Sequence, residues 1–214
     1  MSQSARSIFN SNWLFFILLC LFYLAGGLFL LLTSHSQGFL DLRTVQSPGL
    51  DIFFLYYTNL GNGWFSVALG LAILIFRFYR RGGEVLIAWA VSGLLAQLIK
   101  HLVNSPRPKE FFRLREHIYL INGTALGGNE SFPSGHSASA FALATLMALH
   151  SKNKSLSLLY FAGAALVAYS RVYLAEHFPA DVLAGSLIGV LCALATYSVF
   201  DKVQSRRKRV RSEE

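Results

Sequence analysis

Ser170-Arg171-Val172-Tyr173-Leu174-Ala175-Glu176-His177-Phe178-Pro179-Ala180-Asp181 decides the fold. It holds a cation, a histidine and a carboxylate, and it separates two apolar runs each long enough to cross a bilayer. Ionisable side chains at the ends of membrane helices are costly, so their presence there points to a function. Two shorter polar stretches upstream stand in the same relation to apolar runs: Lys100 to Pro108 and Pro133 to His136.

The apolar runs set the class. The chain has 214 residues, the length of one domain, and we read 1–214 as a single membrane-embedded unit. It is 54% hydrophobic and 14% charged, whereas a soluble domain carries roughly 25% charged residues. The mean hydropathy is +0.46. The net charge of +8 sits mostly in clusters between and after the apolar runs, which excludes a basic soluble domain built to bind nucleic acid. Cys20 and Cys192 lie inside apolar runs and offer neither a disulfide framework nor a metal site.

The pattern predicts an all-α polytopic bundle with six transmembrane helices, over 13–33, 64–79, 85–103, 134–150, 156–174 and 178–200. The first run has about the 20 residues needed to cross hydrocarbon. It is long for a signal-peptide core and no clear small-x-small site follows, so it reads as an uncleaved span. Phe53, Phe54, Tyr56 and Tyr57 predict a short interfacial helix before the second span, because aromatics collect at headgroup level. Arg77, Arg80 and Arg81 close that span, with Gly82-Gly83 as the turn. The fourth run is crowded with Ala and Ser, which lets helices approach closely and predicts a central position. Gly185 and Gly189 give the sixth a similar small face. Residues 202–214 read as a basic tail anchoring topology, compatible with anionic headgroups. Six spans place both termini on one side, and the cations at Arg6, Arg77, Arg80, Arg81, Lys152, Lys154 and the tail make it cytoplasmic. All three polar stretches then fall on the extracytoplasmic face of the cell membrane. Lys100 ends span three, Ser134 opens four, Arg171 ends five and His177 opens six.

The residue types suit phosphoryl chemistry. His177 and Asp181 are four apart and expected on one face of a helix start, with Pro179 tolerable in the first turn. A carboxylate beside an imidazole fixes its tautomer and raises the nucleophilicity of the other ring nitrogen. Pro133-Ser134-Gly135-His136 opens another helix, whose free N–H groups and dipole attract an anion. His136 is placed to protonate a leaving oxygen. Lys100, Arg107 and Arg171 supply cations, the arginines as bidentate forks and the lysine as a point charge.

Together, Lys100-x6-Arg107-Pro108, Pro133-Ser134-Gly135-His136 and Ser170-Arg171-x5-His177-x3-Asp181 resemble the three-part signature of the type 2 phosphatidic acid phosphatase family, with every signature position matched. That superfamily also holds bacterial acid phosphatases and vanadium haloperoxidases. The resemblance implies a lipid phosphate or diphosphate phosphatase. His177 would form a phosphohistidine, Asp181 would orient it and His136 would protonate the leaving oxygen. Lys100, Arg107, Ser134, Gly135 and Arg171 would hold the phosphoryl oxygens. It implies no metal and no cofactor; the expected partners are a membrane lipid phosphate and the bilayer, with no obligate protein partner and no nucleic acid. Substrate candidates are undecaprenyl diphosphate, phosphatidylglycerol phosphate, phosphatidic acid and lipid A phosphates.

Two other readings compete. A lipid phosphotransferase would use the same intermediate with another acceptor. A non-enzymatic transporter or lipid-binding protein would also aim helix N-termini at an anion, although no inverted repeat is visible. Glu176 is a candidate for tuning the site, although the signature does not require it. His35, His117 and His150 read as solvent or interface residues, and Glu110, Arg113, Arg115 and Glu116 as mostly solvated loop charges.

Overall fold

An apolar run without water must satisfy its own backbone, and a helix does so locally. The computed structural model describes residues 12–113, 118–121, 124, 128–151 and 153–213, and among them every regular element is helical. Arg6, Arg115, Glu116, His117, Gly123, Gly127 and Lys152 lie outside the described residues.

Helix α1 is Trp13–Leu32 and α2 is His35–Asp41, capped by Ser34. Helix α3, Pro48–Tyr57, is capped by Ser47 with Pro48 in its first turn. A 3-10 turn, Thr58–Gly61, leads to α4, Gly63–Ile75, capped by Asn62. Then come α5 (Tyr79–Val103), α6 (Pro108–Phe112), α7 (Gly135–His150), α8 (Lys154–Tyr173) and α9 (Pro179–Glu213). Four of these, α1, α5, α8 and α9, are long and apolar enough to cross a membrane. The segment Pro48–Gly61 and α4 meet at 53° and count as a fifth if the bent pair is one span. Six spans were expected. The difference falls on α7, whose 16 residues make a short helix.

Two boundaries move for local reasons. The second span was expected over 64–79, but α4 stops at Ile75. Arg77 takes a left-handed φ of 66°. Arg77 N–H donates to Leu74 C=O at 2.9 Å and Phe78 N–H to Ile73 C=O at 3.1 Å. These are the two bonds that close a helix end around a left-handed residue, here without glycine. Gly82-Gly83, expected as the turn, lie in the first turn of α5 instead. A Cβ on Gly82 would come within 2.7 Å of the Leu74 side chain and 2.9 Å of Gly70 C=O, so the absent side chain lets α5 lie on α4. The helix of the third expected span, α5, therefore starts at Tyr79 rather than at 85. The basic stretch expected as a tail continues α9 as helix to Glu213, with 202–210 exposed.

Helix α7 is the axis. Its residues from Ser137 to Leu146 are all buried. Phe141, Ala144 and Ala148 pack with Phe15 and Leu19 of α1 and Val167 and Ala168 of α8. Ala142, Leu143 and Leu146 pack with Val85 and Ala88 of α5 and Ala193 of α9. Phe22 stacks on Phe141 with ring centroids 5.4 Å apart. The small face expected on the last helix presses on α7: a Cβ on Gly185 would lie 2.2 Å from Ser134 C=O, and one on Gly189 2.2 Å from Ala138 C=O. Outward, Leu24, Leu31, Trp64, Leu94 and Leu102 are largely exposed. Such a surface is untenable in water and natural in lipid.

At the end of α7 opposite Ser134 lies a buried ionic cluster. Glu84 is fully buried; its carboxylate meets Arg80 Nε at 2.8 Å and His150 Nε2. Arg80 also reaches Asp201 at 3.4 Å and Gln204. His150, expected as a solvent or interface residue, is an ion-pair partner of Glu84, because a carboxylate inside the bundle requires partners.

The α7–α9 contact predicts that Gly185→Val lowers the midpoint of thermal unfolding in detergent, by about 1–3 kcal/mol or more of overpacking. Gly93→Ala, at a helical glycine with open space around it, should leave the midpoint unchanged or raise it.

Candidate active site

Five helix termini meet at one end of the bundle. Ser134 caps α7: its Oγ accepts from Ser137 N–H at 3.3 Å and from the Ser137 hydroxyl at 3.0 Å. Its own N–H donates to Asp181 C=O at 2.9 Å, which fastens the start of α7 to the start of α9. Ser134 is fully buried, so its hydroxyl is committed first to the cap. Gly135 has open space where a Cβ would stand. His136 follows in the same turn, and its backbone approaches Gly61, where a Cβ would sit 2.9 Å from His136 C=O.

The stretch 174–178 folds back over the end of α8. Glu176 N–H and His177 N–H both donate to Arg171 C=O, at 2.9 and 3.1 Å. Ala175 pays for the reversal with a left-handed φ of 56°. His177 thus precedes α9, whose first residue is Pro179, rather than opening the helix as expected. It still meets Asp181. The Asp181 carboxylate reaches back from the third helical position to accept Phe178 N–H at 2.9 Å, half of a capping box. Ser131 donates to the same oxygen at 2.5 Å. His177 Nδ1 lies 3.5 Å from that oxygen and has no closer polar partner. This orientation leaves Nε2 as the nitrogen not facing the carboxylate. Burial pushes the imidazole down to about 4 against the opposing pull of Asp181, so it is neutral at neutral pH.

Cations surround this pair. Arg107 stands at the N-terminus of α6, its N–H donating to Gly128 C=O at 2.9 Å. Arg171, in the last turn of α8, is 7% exposed, and its Nε has no partner. Its Nη1 donates to Thr58 Oγ1 at 2.8 Å. Lys100, in the last turn of α5, lies within electrostatic reach of Arg107, Asp181 and Arg171. His136 in turn feels Arg171, His177, Lys100 and Arg107. The structure therefore brings all eight expected site residues to one end of the bundle: His177, His136, Asp181, Lys100, Arg107, Ser134, Gly135 and Arg171.

Four further residues belong to this cluster. Glu176 accepts from Arg107 Nη1 at 2.5 Å and from Lys109 Nζ at 2.8 Å, and lies 3.8 Å from Arg171 Nη2. Burial alone would push its carboxyl up, but Lys109, Arg171 and Arg107 outweigh that and hold it below the usual carboxylate range. An acidic residue beside His177 was a legible signal; Lys109, Thr58 and Ser131 had none, because their partners are distant in sequence. Arg43, behind the end of α8, donates to Tyr173 C=O at 2.9 Å and Tyr119 C=O at 2.7 Å. The Tyr173 and Tyr119 hydroxyls donate to Asp51 at 2.6 and 2.9 Å, which ties α3 and 118–121 to the same wall. Glu110 and Arg113 form an exposed pair at 3.5 Å, as expected of loop charges. Among the described residues no group of three or more His, Cys, Asp or Glu is placed to hold a metal ion.

Comparison with known proteins fits this arrangement. The lipid A 4'-phosphatase of Porphyromonas gingivalis is 30% identical over 185 residues, covering 82% of this chain and 77% of the relative. The undecaprenyl-diphosphatase of Sulfolobus acidocaldarius is 30% identical over 145 residues, covering 67% of this chain and 68% of the relative. The crystal structure of Aquifex aeolicus LpxE superposes with a TM-score of 0.69 at 31% identity, over 78% of this chain and 96% of that one. The PAP2 superfamily profile matches residues 81–205, a segment that begins on α5 and ends on α9 and so takes in all three polar stretches. On that match, and on the similarity to the lipid A 4'-phosphatase, the chain belongs to the PAP2 superfamily.

Proposed function

We propose that this protein is one membrane-embedded phosphatase domain. It removes phosphate from a phosphomonoester or diphosphate of a membrane lipid, a lipid A type phosphate first among the candidates. His177 Nε2 attacks phosphorus, and the bonding pair of the scissile P–O bond leaves with the lipid oxygen. His136 donates the proton that oxygen takes up. Water then attacks the phosphohistidine, His136 accepts its proton, and phosphate departs with His177 restored. Asp181 holds the His177 tautomer throughout. Lys100, Arg107 and Arg171, with the N–H groups of the Ser134–Gly135 turn, balance charge on the transferring group. No step requires a metal ion.

The observation that carries this reading is the burial of His177 beside Asp181 and within reach of Arg171 and Arg107, at the mouth of a bundle with a lipid-like exterior. Supporting it, an apolar groove of about 240 Å³ runs between α4, α7 and α8, lined by Tyr57, Leu60, Leu143, Met147 and Leu159. It lies beside the turn that carries Thr58, where a hydrocarbon chain attached to a bound phosphate would extend. The proposed topology has six crossings, with α7 shielded at the centre as the fourth. Both termini are cytoplasmic, and the site is on the extracytoplasmic face of the cell membrane.

The test is phosphate release by purified protein in detergent from a panel of lipid A, phosphatidylglycerol phosphate, phosphatidic acid and undecaprenyl diphosphate. Release of free phosphate is expected, and a phosphorylated acceptor in its place would make the protein a phosphotransferase. His177→Ala should lose about a thousandfold or more in kcat while its unfolding profile stays native-like. Turnover near that of the parent would remove His177 as nucleophile. EDTA should leave the rate unchanged; a loss restored by a divalent ion would overturn the metal-free step. His177 stays neutral until the pH falls to about 4, rather than protonating near its ordinary value of about 6.5. Corrected for ionisation of the substrate phosphate, kcat/KM should therefore hold between neutrality and pH about 5; an acid limb near the ordinary histidine value would show that His177 is not shielded.

A further inference from the structure

A pocket that binds phosphate must hold cations together when no phosphate is there. Here the counter-charge comes from the protein itself. Glu176 is 2% exposed and engages Arg107 at 2.5 Å and Lys109 at 2.8 Å, with Arg171 at 3.8 Å. Arg107, Lys109 and Arg171 thus share one carboxylate, while the Asp181 carboxylate lies 3.5 Å from His177. Lys109 is only two residues beyond Arg107, on the short helix that Arg107 precedes, and also donates to Thr124 at 2.7 Å. Glu176 follows the reversal at Ala175, and its own N–H is held by Arg171 C=O at 2.9 Å. Its backbone is fixed as firmly as that of His177.

We infer that Glu176 sets the charge preference of the site, occupying Arg107 and Lys109 so that the pocket suits a single phosphoryl group over a diphosphate. The inference rests on the phosphatase reading above and adds to it a choice between substrate classes. A lipid diphosphate carries more negative charge than a monoester and needs more donors. Against it stands a buried carboxylate that occupies two of the available cations and repels the second phosphoryl group. Inside a partly dried pocket that repulsion is far stronger than in water. Specificity then comes from an unfavourable contact with the wrong ligand as well as a favourable one with the right ligand. Glu176 thus acts on the substrate in two ways, by holding Arg107 and Lys109 and by its own charge facing a second phosphoryl group.

The experiment compares kcat/KM for a short-chain phosphatidic acid and for farnesyl diphosphate in the parent protein, Glu176→Gln and Lys109→Met. Glutamine keeps the shape and removes the charge. The ratio of diphosphate to monoester turnover should rise about tenfold or more in Glu176→Gln. It should fall in Lys109→Met, which removes a cation and leaves Glu176 on Arg107. A ratio within about twofold of the parent in Glu176→Gln, with both substrates slowed together, would overturn the inference and leave Glu176 a structural ion-pair partner. Should Glu176→Gln fail to fold, Lys109→Met decides alone, and an unmoved ratio there overturns the inference equally. If the parent hydrolyses neither substrate, nor any member of the lipid panel, the phosphatase reading itself fails, which is a different result.

Discussion

The N–H of Ser134 donating to the carbonyl of Asp181 is the contact on which the arrangement turns. It joins the first turns of α7 and α9, and so sets His136 and His177 at one end of the bundle. The bond needs the two backbones to touch, and Gly185, one turn beyond Asp181 on α9, is what permits it. Everything local around the junction follows from satisfying helix ends. Ser134 caps α7, Asp181 reaches back to Phe178, and the loop before α9 hangs its N–H groups on Arg171 C=O. The groups assigned to chemistry are therefore also groups that finish helices. A helix end leaves free N–H donors and a positive dipole end, and a phosphate needs both.

The second constraint is charge. Cations gathered inside a low-dielectric bundle repel one another and must be neutralised within it. Glu176 does this near the site, and Glu84 does the equivalent at the far end with Arg80 and His150. The two clusters bracket α7, whose middle is alanine-rich and buried on every side. A helix with no charged group along its buried middle, flanked by ionic contacts at both ends, has little freedom to slide.

Much of this was legible in the sequence because it is local or spaced by a helical rule. The apolar runs gave the helices, the three polar stretches gave a cluster at one end, and Gly185 and Gly189 gave a close contact. What escaped depends on who stands opposite. Gly82-Gly83 carries the composition of a turn, yet its lack of side chains serves packing against Leu74, while Arg77 makes the turn. His150 looks like an interface residue until Glu84, distant in sequence, is found beside it. Thr58 and Lys109 have no spacing that announces them, since Arg171 and Glu176 reach them only after folding. The number of crossings was read from run length, and α7, a buried helix of 16 residues, is where that reading and the four or five membrane-capable helices of the structure part.

That shortness has a geometric consequence. Sixteen residues of α-helix rise about 24 Å, whereas the hydrocarbon layer is about 30 Å thick. If α7 is the central crossing, its two ends cannot both stand level with the surrounding headgroups. The proposed phosphate pocket at one end, or the ionic cluster at the other, would then form the floor of a well sunk below the membrane surface. A lipid headgroup reaching a sunken floor has to leave the plane of its neighbours and shed part of its water, so depth itself would filter what arrives.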